Sequence, residues 1–85
     1  MENLTQIVLT TNEILEGSEI ITEIYHDEDD TWQALSENPI LNDPKVISVE
    51  NLIELDNSIK DILPLINKGK KATLTNSKWV ITQNG

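Results

Sequence analysis

Residues 19–36 read EIITEIYHDEDDTWQALS. The first eight residues alternate. Ile20, Thr22 and Ile24 fall on one side, and Ile21, Glu23 and Tyr25 on the other. A period of two is the spacing of a strand, and two mixed faces imply that neither is fully wet. Asp27-Glu28-Asp29-Asp30 is then a polar loop, and residues 31–36 (TWQALS) return as a second strand. A loop this short favours antiparallel pairing, so the core of the fold is expected to be a strand–turn–strand unit with carboxylates at its bend.

Outward from this unit, residues 5–11 (TQIVLTT) are rich in β-branched side chains and predict an earlier strand, with Gly17-Ser18 as the turn that follows. Short links between these first three strands again favour antiparallel neighbours. Pro39 and Pro44 mark residues 37–44 as irregular. KVISV (45–49) reads as a short strand and ENLIEL (50–55) as one or two helical turns. In DNSIKDILPLI (56–66), Ile59, Ile62, Leu63 and Ile66 lie at i, i+3, i+4 and i+7, which predicts a helix capped by Asp56. Pro64 removes a donor and crowds the preceding turn, so this helix should stop near Leu63. The segments KATLT (71–75) and KWVITQ (78–83) flank Asn76-Ser77 and predict a two-residue hairpin, with Leu74, Trp79 and Ile81 inward. The order predicts an α+β fold: one mostly antiparallel sheet, one or two short helices after the third or fourth strand, and a C-terminal β-hairpin, all in a single domain over residues 1–85.

The totals narrow the function classes. An 85-residue chain buries roughly 60–65% of the surface its unfolded form exposes, which permits one modest core. Phe and Cys are absent, and the aromatics are Tyr25, Trp32 and Trp79. Without cysteine there is no disulfide framework, no thiolate chemistry and no sulfur-ligated metal. The first residues lack a basic segment followed by a long apolar one, so no secretory signal is expected and a cytoplasmic location is. Apolar runs are too short for a membrane span. Net charge is −9, with eleven Asp/Glu and no Lys before residue 45, and four Asp/Glu with six Lys after it. No arginine is present. This composition argues against nucleic acid and for a protein partner with a basic surface.

Several specific chemistries call for acidic runs of this kind. An EF-hand starting at Asp27 would need Gly at its sixth position and Glu at its twelfth, where Trp32 and Asn38 stand. A transition-metal site would need several imidazoles, and His26 is the single histidine. His26 with Asp29 or Asp30, and Ser36 as a nucleophile, make an acid–base set on paper, but no G-x-S-x-G elbow surrounds Ser36. Only three glycines are present, and none builds a phosphate loop. The Lys68, Lys70 and Lys71 turn reads as a solvated counterweight to the acidic half. No cofactor, metal or catalytic residue is expected. Trp32 has two readings: an anchor rimmed by acids, or the residue that closes its strand onto the core.

The order HDEDDTW-x-x-LS (26–36), DPKVISVENLIELDNSI (43–59), ILPL (62–65), KGKKA (68–72) and KWV (78–80) resembles a small bacterial family of unknown function. Some of its members are identified as immunity proteins of polymorphic toxin systems. The matching residues are Asp30, Trp32, Ser36, Asp43, Pro44, Val49, Leu52, Ile53, Asp56, Ser58, Ile59, Leu63, Leu65, Gly69 and Ala72. Thr31 replaces the glycine of the family pattern before Trp32, and Asn57 replaces a common proline. The resemblance implies a stoichiometric binding protein that occludes a partner toxin and catalyses nothing. The expected contact patch is Tyr25, Asp27, Glu28, Asp29, Asp30 and Trp32, with the acidic half steering a basic surface inward. A regulatory domain with a different partner, and a domain binding divalent cations, are the alternatives.

Overall fold

The computed structural model describes residues 5–37 and 44–83. Strand β1 (Ile7–Thr10) leads into a short helix α1 (Asn12–Glu16), then β2 (Glu23–His26), β3 (Trp32–Leu35), β4 (Lys45–Ser48), helix α2 (Val49–Leu55), two 3₁₀ turns (Asn57–Ile59 and Leu63–Leu65), and the hairpin β5 (Lys70–Thr75) and β6 (Lys78–Gln83). The strands form one sheet in the order β4-β1-β3-β2-β5-β6. The predicted α+β class, the short helices and the C-terminal hairpin are all present.

Two expectations need correction. The first three strands are not a simple antiparallel run: β2 pairs antiparallel with β3, but β1 lies parallel to β3, with Val8 opposite Trp32. The cause is α1. Thr11 caps it through Oγ1, which accepts from the Ile14 N–H, and Gly17 ends it at φ +84, a conformation glycine adopts without cost. That compact helix lets the chain pass from β1 to β2 while leaving the place between them for β3. The second correction is the helix expected over 56–63. Asp56 does cap there, but it caps a 3₁₀ turn by accepting from the Ser58 N–H, and a second 3₁₀ turn carries Pro64 near its start. Ile59, Leu63 and Ile66 are nevertheless at most 1% exposed. Spacings of three and four serve successive 3₁₀ turns as well as an α-helix, so the buried face was right and the helix type was not.

The core lies on one face of the sheet. Val8, Ile24, Trp32, Ala34 and Ala72 point into it from the strands, and Ile14, Ile21, Val49, Leu52, Ile59, Leu63 and Ile66 cover them. Residue alternation therefore places Ile7, Leu9, Val46, Gln33, Leu35, Glu23, Tyr25, Lys71, Thr73 and Val80 on the opposite face. No described helix covers that face. In β2 the alternation holds only over residues 23–26. Ile21 is buried and Ile20 is 68% exposed, so the strand expected from residue 19 begins later.

The acidic half does not form a hemisphere. Residues before 45 supply the central β1, β3 and β2, while those after 44 supply both borders, β4 on one side and β5-β6 on the other. The lysine-bearing segments flank the acidic centre, and the charge asymmetry of the sequence is folded into a stripe.

Candidate functional site

The β2–β3 connection is a three-residue hairpin loop. The Asp27 N–H donates to the Thr31 carbonyl at 2.8 Å, and the Asp30 N–H donates to the Asp27 carbonyl at 2.9 Å. Asp30 takes the left-handed conformation, φ 71. This is the arrangement in which the third loop residue closes the hairpin through positive φ, a task that Asp tolerates better than most side chains. The special backbone geometry thus sits at Asp30, one residue before the Thr31 position where the resembling family carries glycine.

Each carboxylate of the run then has a different task. Asp27 Oδ2 accepts from Gln33 Nε2 at 2.9 Å. Asp29 Oδ1 accepts from the Thr31 N–H at 3.0 Å and stiffens the bend. Glu28 lies against Gly69, where a Cβ would collide with its carboxylate. Gly69 holds φ +83, and its N–H reaches the His26 carbonyl at 2.7 Å, so the glycine meets a torsional demand, while the flexible Glu28 side chain beside it could move aside.

Asp30 turns inward. Its Oδ1 meets His26 Nε2 at 2.6 Å, and its Oδ2 accepts from Gln6 Nε2 at 2.6 Å. The Oε1 of the same Gln6 accepts from Trp32 Nε1 at 3.1 Å. The Trp32 ring stacks on the His26 imidazole, with centroids 3.8 Å apart and planes 12° from parallel. His26 to Asp30 to Gln6 to Trp32 and back to His26 is therefore a closed circuit of four side chains. His26 Nδ1 extends it to the Ile66 carbonyl at 2.7 Å, tying the hairpin to the segment after the second 3₁₀ turn.

The donor inventory constrains the protons. A carbonyl only accepts, so Nδ1 carries hydrogen. Nε2 and Asp30 Oδ1 share a second proton across their 2.6 Å contact, while the ring face lies against Trp32. The hydrogen bond from His26 holds the Asp30 carboxyl below its ordinary value, aided by Lys68 and Gln6 against a smaller opposing effect of burial. Tyr25 is shifted the other way. Partial burial, then the neighbouring Glu23 carboxylate, raises its phenol above the ordinary value.

This geometry separates the residues expected to act together. Trp32 is only 2% exposed, so it is not available as a contact anchor. The core reading of Trp32 holds, because its indole N–H finds Gln6 and its ring finds His26. Tyr25 and Trp32 lie on opposite faces, since Tyr25 registers with Gln33 and His26 with Trp32. Asp30, its side chain 38% exposed, closes the circuit at its solvent side, while Glu28 and Asp29 remain exposed at the tip. His26 stands at the end of β2 and is buried, at 8% exposure. Ser36 lies beyond the other end of the β2–β3 ladder, with its hydroxyl donating to Glu19 at 2.6 Å, so no Ser–His pair assembles.

Among the described residues no group of three or more His, Asp or Glu side chains is placed to hold a metal ion. No described helix is long and apolar enough to cross a membrane. Sequence reasoning missed Gln6, the hinge of the circuit, because a single glutamine at the start of a strand carries no pattern. Comparison with models of protein families, with curated proteins and with solved structures finds no match for this chain.

Proposed function

We propose that the protein is a non-catalytic binding domain of the immunity type, which occludes a partner protein with a basic face, in the first instance a toxin. The carrying observation is the sheet face that no described helix covers, with an acidic rim at one end. Ile7 and Val46 are 54% and 64% exposed there, and Leu9 and Tyr25 are half-buried beside them. Glu23 lies among them, and Asp27, Glu28 and Asp29 edge the face at the β2–β3 bend. An apolar centre with a charged rim is the usual anatomy of a protein interface. The sign of the rim selects a basic partner and speeds its approach. The contact set is revised accordingly: Tyr25, Asp27, Glu28 and Asp29 stay in it, Val46 and Leu9 join it, and Trp32 and Asp30 become its internal support.

The circuit favours this reading over catalysis. Both nitrogens of His26 and both oxygens of Asp30 are already engaged with protein groups. A proton-transfer group needs a free valence toward substrate.

Affinity capture from the native host followed by mass spectrometry supplies the partner. Against it, Glu28→Lys/Asp29→Lys is expected to slow association and flatten its salt dependence, and Val46→Glu to speed dissociation. Full affinity in both folded variants would remove the proposal. Inhibition of a toxin partner is expected to titrate one to one. Loss of inhibition on dilution below the Kd separates occlusion from enzymatic inactivation.

A further inference from the structure

Strand β6 ends the sheet, with no described strand beyond it. At Leu74 the N–H points toward β2, where it donates to the Thr22 carbonyl at 2.8 Å. Backbone direction alternates along a strand, so Lys71, Thr73 and Thr75 turn toward β6. Their register partners Thr82, Val80 and Lys78 turn back toward β5. Trp79, Ile81 and Gln83 therefore point their N–H and C=O groups away from the sheet, and no described strand lies beyond them. Sheet borders of this kind are normally blunted by proline, bulges or charge. β6 has six residues, no proline and one charged side chain, Lys78. The other border, β4, has four residues and runs directly into α2.

We propose that β6 pairs antiparallel with β6 of a second copy of this chain, joining two six-stranded sheets into one. Charge selects the occupant. No Asp or Glu occurs between residues 62 and 83, whereas the whole chain carries −9. The same stretch carries four lysines, and pairing at this border keeps the acidic central strands of the two copies apart. The edge is not strongly basic either. The Lys71 ammonium lies over the Tyr25 ring, 5.7 Å from its centroid, and so leans toward β2 and away from the border. Such an edge suits a copy of itself better than an acidic foreign strand.

The strand is also self-complementary about Val80. With the two-fold axis there, Trp79 and Ile81 of one copy exchange backbone hydrogen bonds with Ile81 and Trp79 of the other. Both lie on the helix-covered face, half-buried against the core. Lys78 meets Thr82, and no like charges are opposed. Val80, 46% exposed, faces its own copy in a pair without backbone hydrogen bonds. In such pairs the Cα atoms are about 4.5 Å apart. An edge of six residues buries less area than a permanent dimer interface, so association should depend on concentration.

Because the chain has no cysteine, a single Val80→Cys is a clean probe. Under mild oxidation it is expected to give a covalent dimer, and Thr82→Cys is not, because Thr82 faces Lys78. In sedimentation the wild type should shift from monomer to dimer with concentration. Val80→Lys and Val80→Glu should each be monomeric, and their mixture should dimerise, which also shows that both variants are folded. A wild type monomeric up to about 1 mM would overturn the proposal. So would a dimer indifferent to Val80→Lys, equal cross-linking through Thr82→Cys, or an edge occupied by another protein's strand in a chain that never self-associates.

Discussion

The side chain that organises the hairpin end of this protein is Asp30. Its two oxygens link His26 and Gln6, and through Gln6 the indole of Trp32. Because the folded carboxyl is held below its ordinary value of 3.8, Asp30 contributes stability that is present above that value. This contribution is lost as pH falls through the lower folded-state value. Asp30→Asn keeps the size and tolerates the positive φ of 71, but it abolishes the charge. It is expected to lower the neutral-pH Tm and to flatten the acid limb of the stability profile, read from urea melts at stepped pH. Trp32→Ala removes the stacked ring and leaves Gln6 Oε1 and the His26 face without partners. Truncating a buried aromatic costs about 3–5 kcal/mol, a large share of the roughly 4–13 kcal/mol that a domain of this length holds. The variant is expected to lose its cooperative thermal transition in circular dichroism. Of this circuit, the sequence offered the His26–Asp30 pair, four residues apart, but not Gln6, the Ile66 carbonyl or the His26–Trp32 stack. Hydrogen-bond partners 24 to 40 residues apart leave no periodic trace.

At the scale of elements, the hairpins were legible and the helices less so. Both bends declared themselves by turn chemistry. Asn76 and Ser77 take φ 50 and 64, the pair of positive angles that a tight two-residue hairpin demands. Asn accepts that geometry readily and Ser does not. Ser77→Gly removes a left-handed cost of roughly 1–2 kcal/mol and adds back roughly 0.5–1 kcal/mol of unfolded-state entropy. A net gain of about 0.5–1 kcal/mol is expected in denaturant melts. Helix α1 went unread because five residues give too few turns for a hydrophobic period, although Thr11 and Gly17 bracket it with standard capping residues. The run ending at Pro64 misled for the opposite reason. Its apolar spacing was strong, but a proline early in the second turn stopped it from settling as a longer α-helix. Helix α2 was read over 50–55 and begins one residue earlier, at Val49, because Ser48 and Asn51 form a capping box that the sequence reading did not use.

For the molecule as a whole, the linear charge map was easy to read and easy to misplace. Eleven acids before residue 45 suggested an acidic half that steers a basic partner. The strand order β4-β1-β3-β2-β5-β6 sets those residues between two lysine-bearing borders instead. Only topology converts a charge distribution along the chain into one in space, and the parallel β1–β3 pair that decides it depends on a five-residue helix. Fifteen acids against six lysines leave most carboxylates without a cation, and their mutual repulsion opposes the compact state. Raising ionic strength from about 0.01 to 0.15 M shortens the screening length from about 30 to 8 Å. The Tm is expected to rise over that range, while affinity for a basic partner falls. A Tm that drops with salt would mean that attractive pairs such as Asp30 with His26 outweigh the general repulsion.

The His26–Trp32 stack also sets the optical behaviour of the protein. An indole packed flat on an imidazole passes an electron from its excited state to that ring and emits weakly. Trp32 should therefore be nearly dark in the native protein, and the visible emission should come from Trp79 in the β5–β6 hairpin. Melting the hairpin end would brighten the sample as Trp32 leaves its quencher, whereas loosening of the β6 border would only redden the light already present. One cuvette and one excitation wavelength thus distinguish the two ends of the sheet.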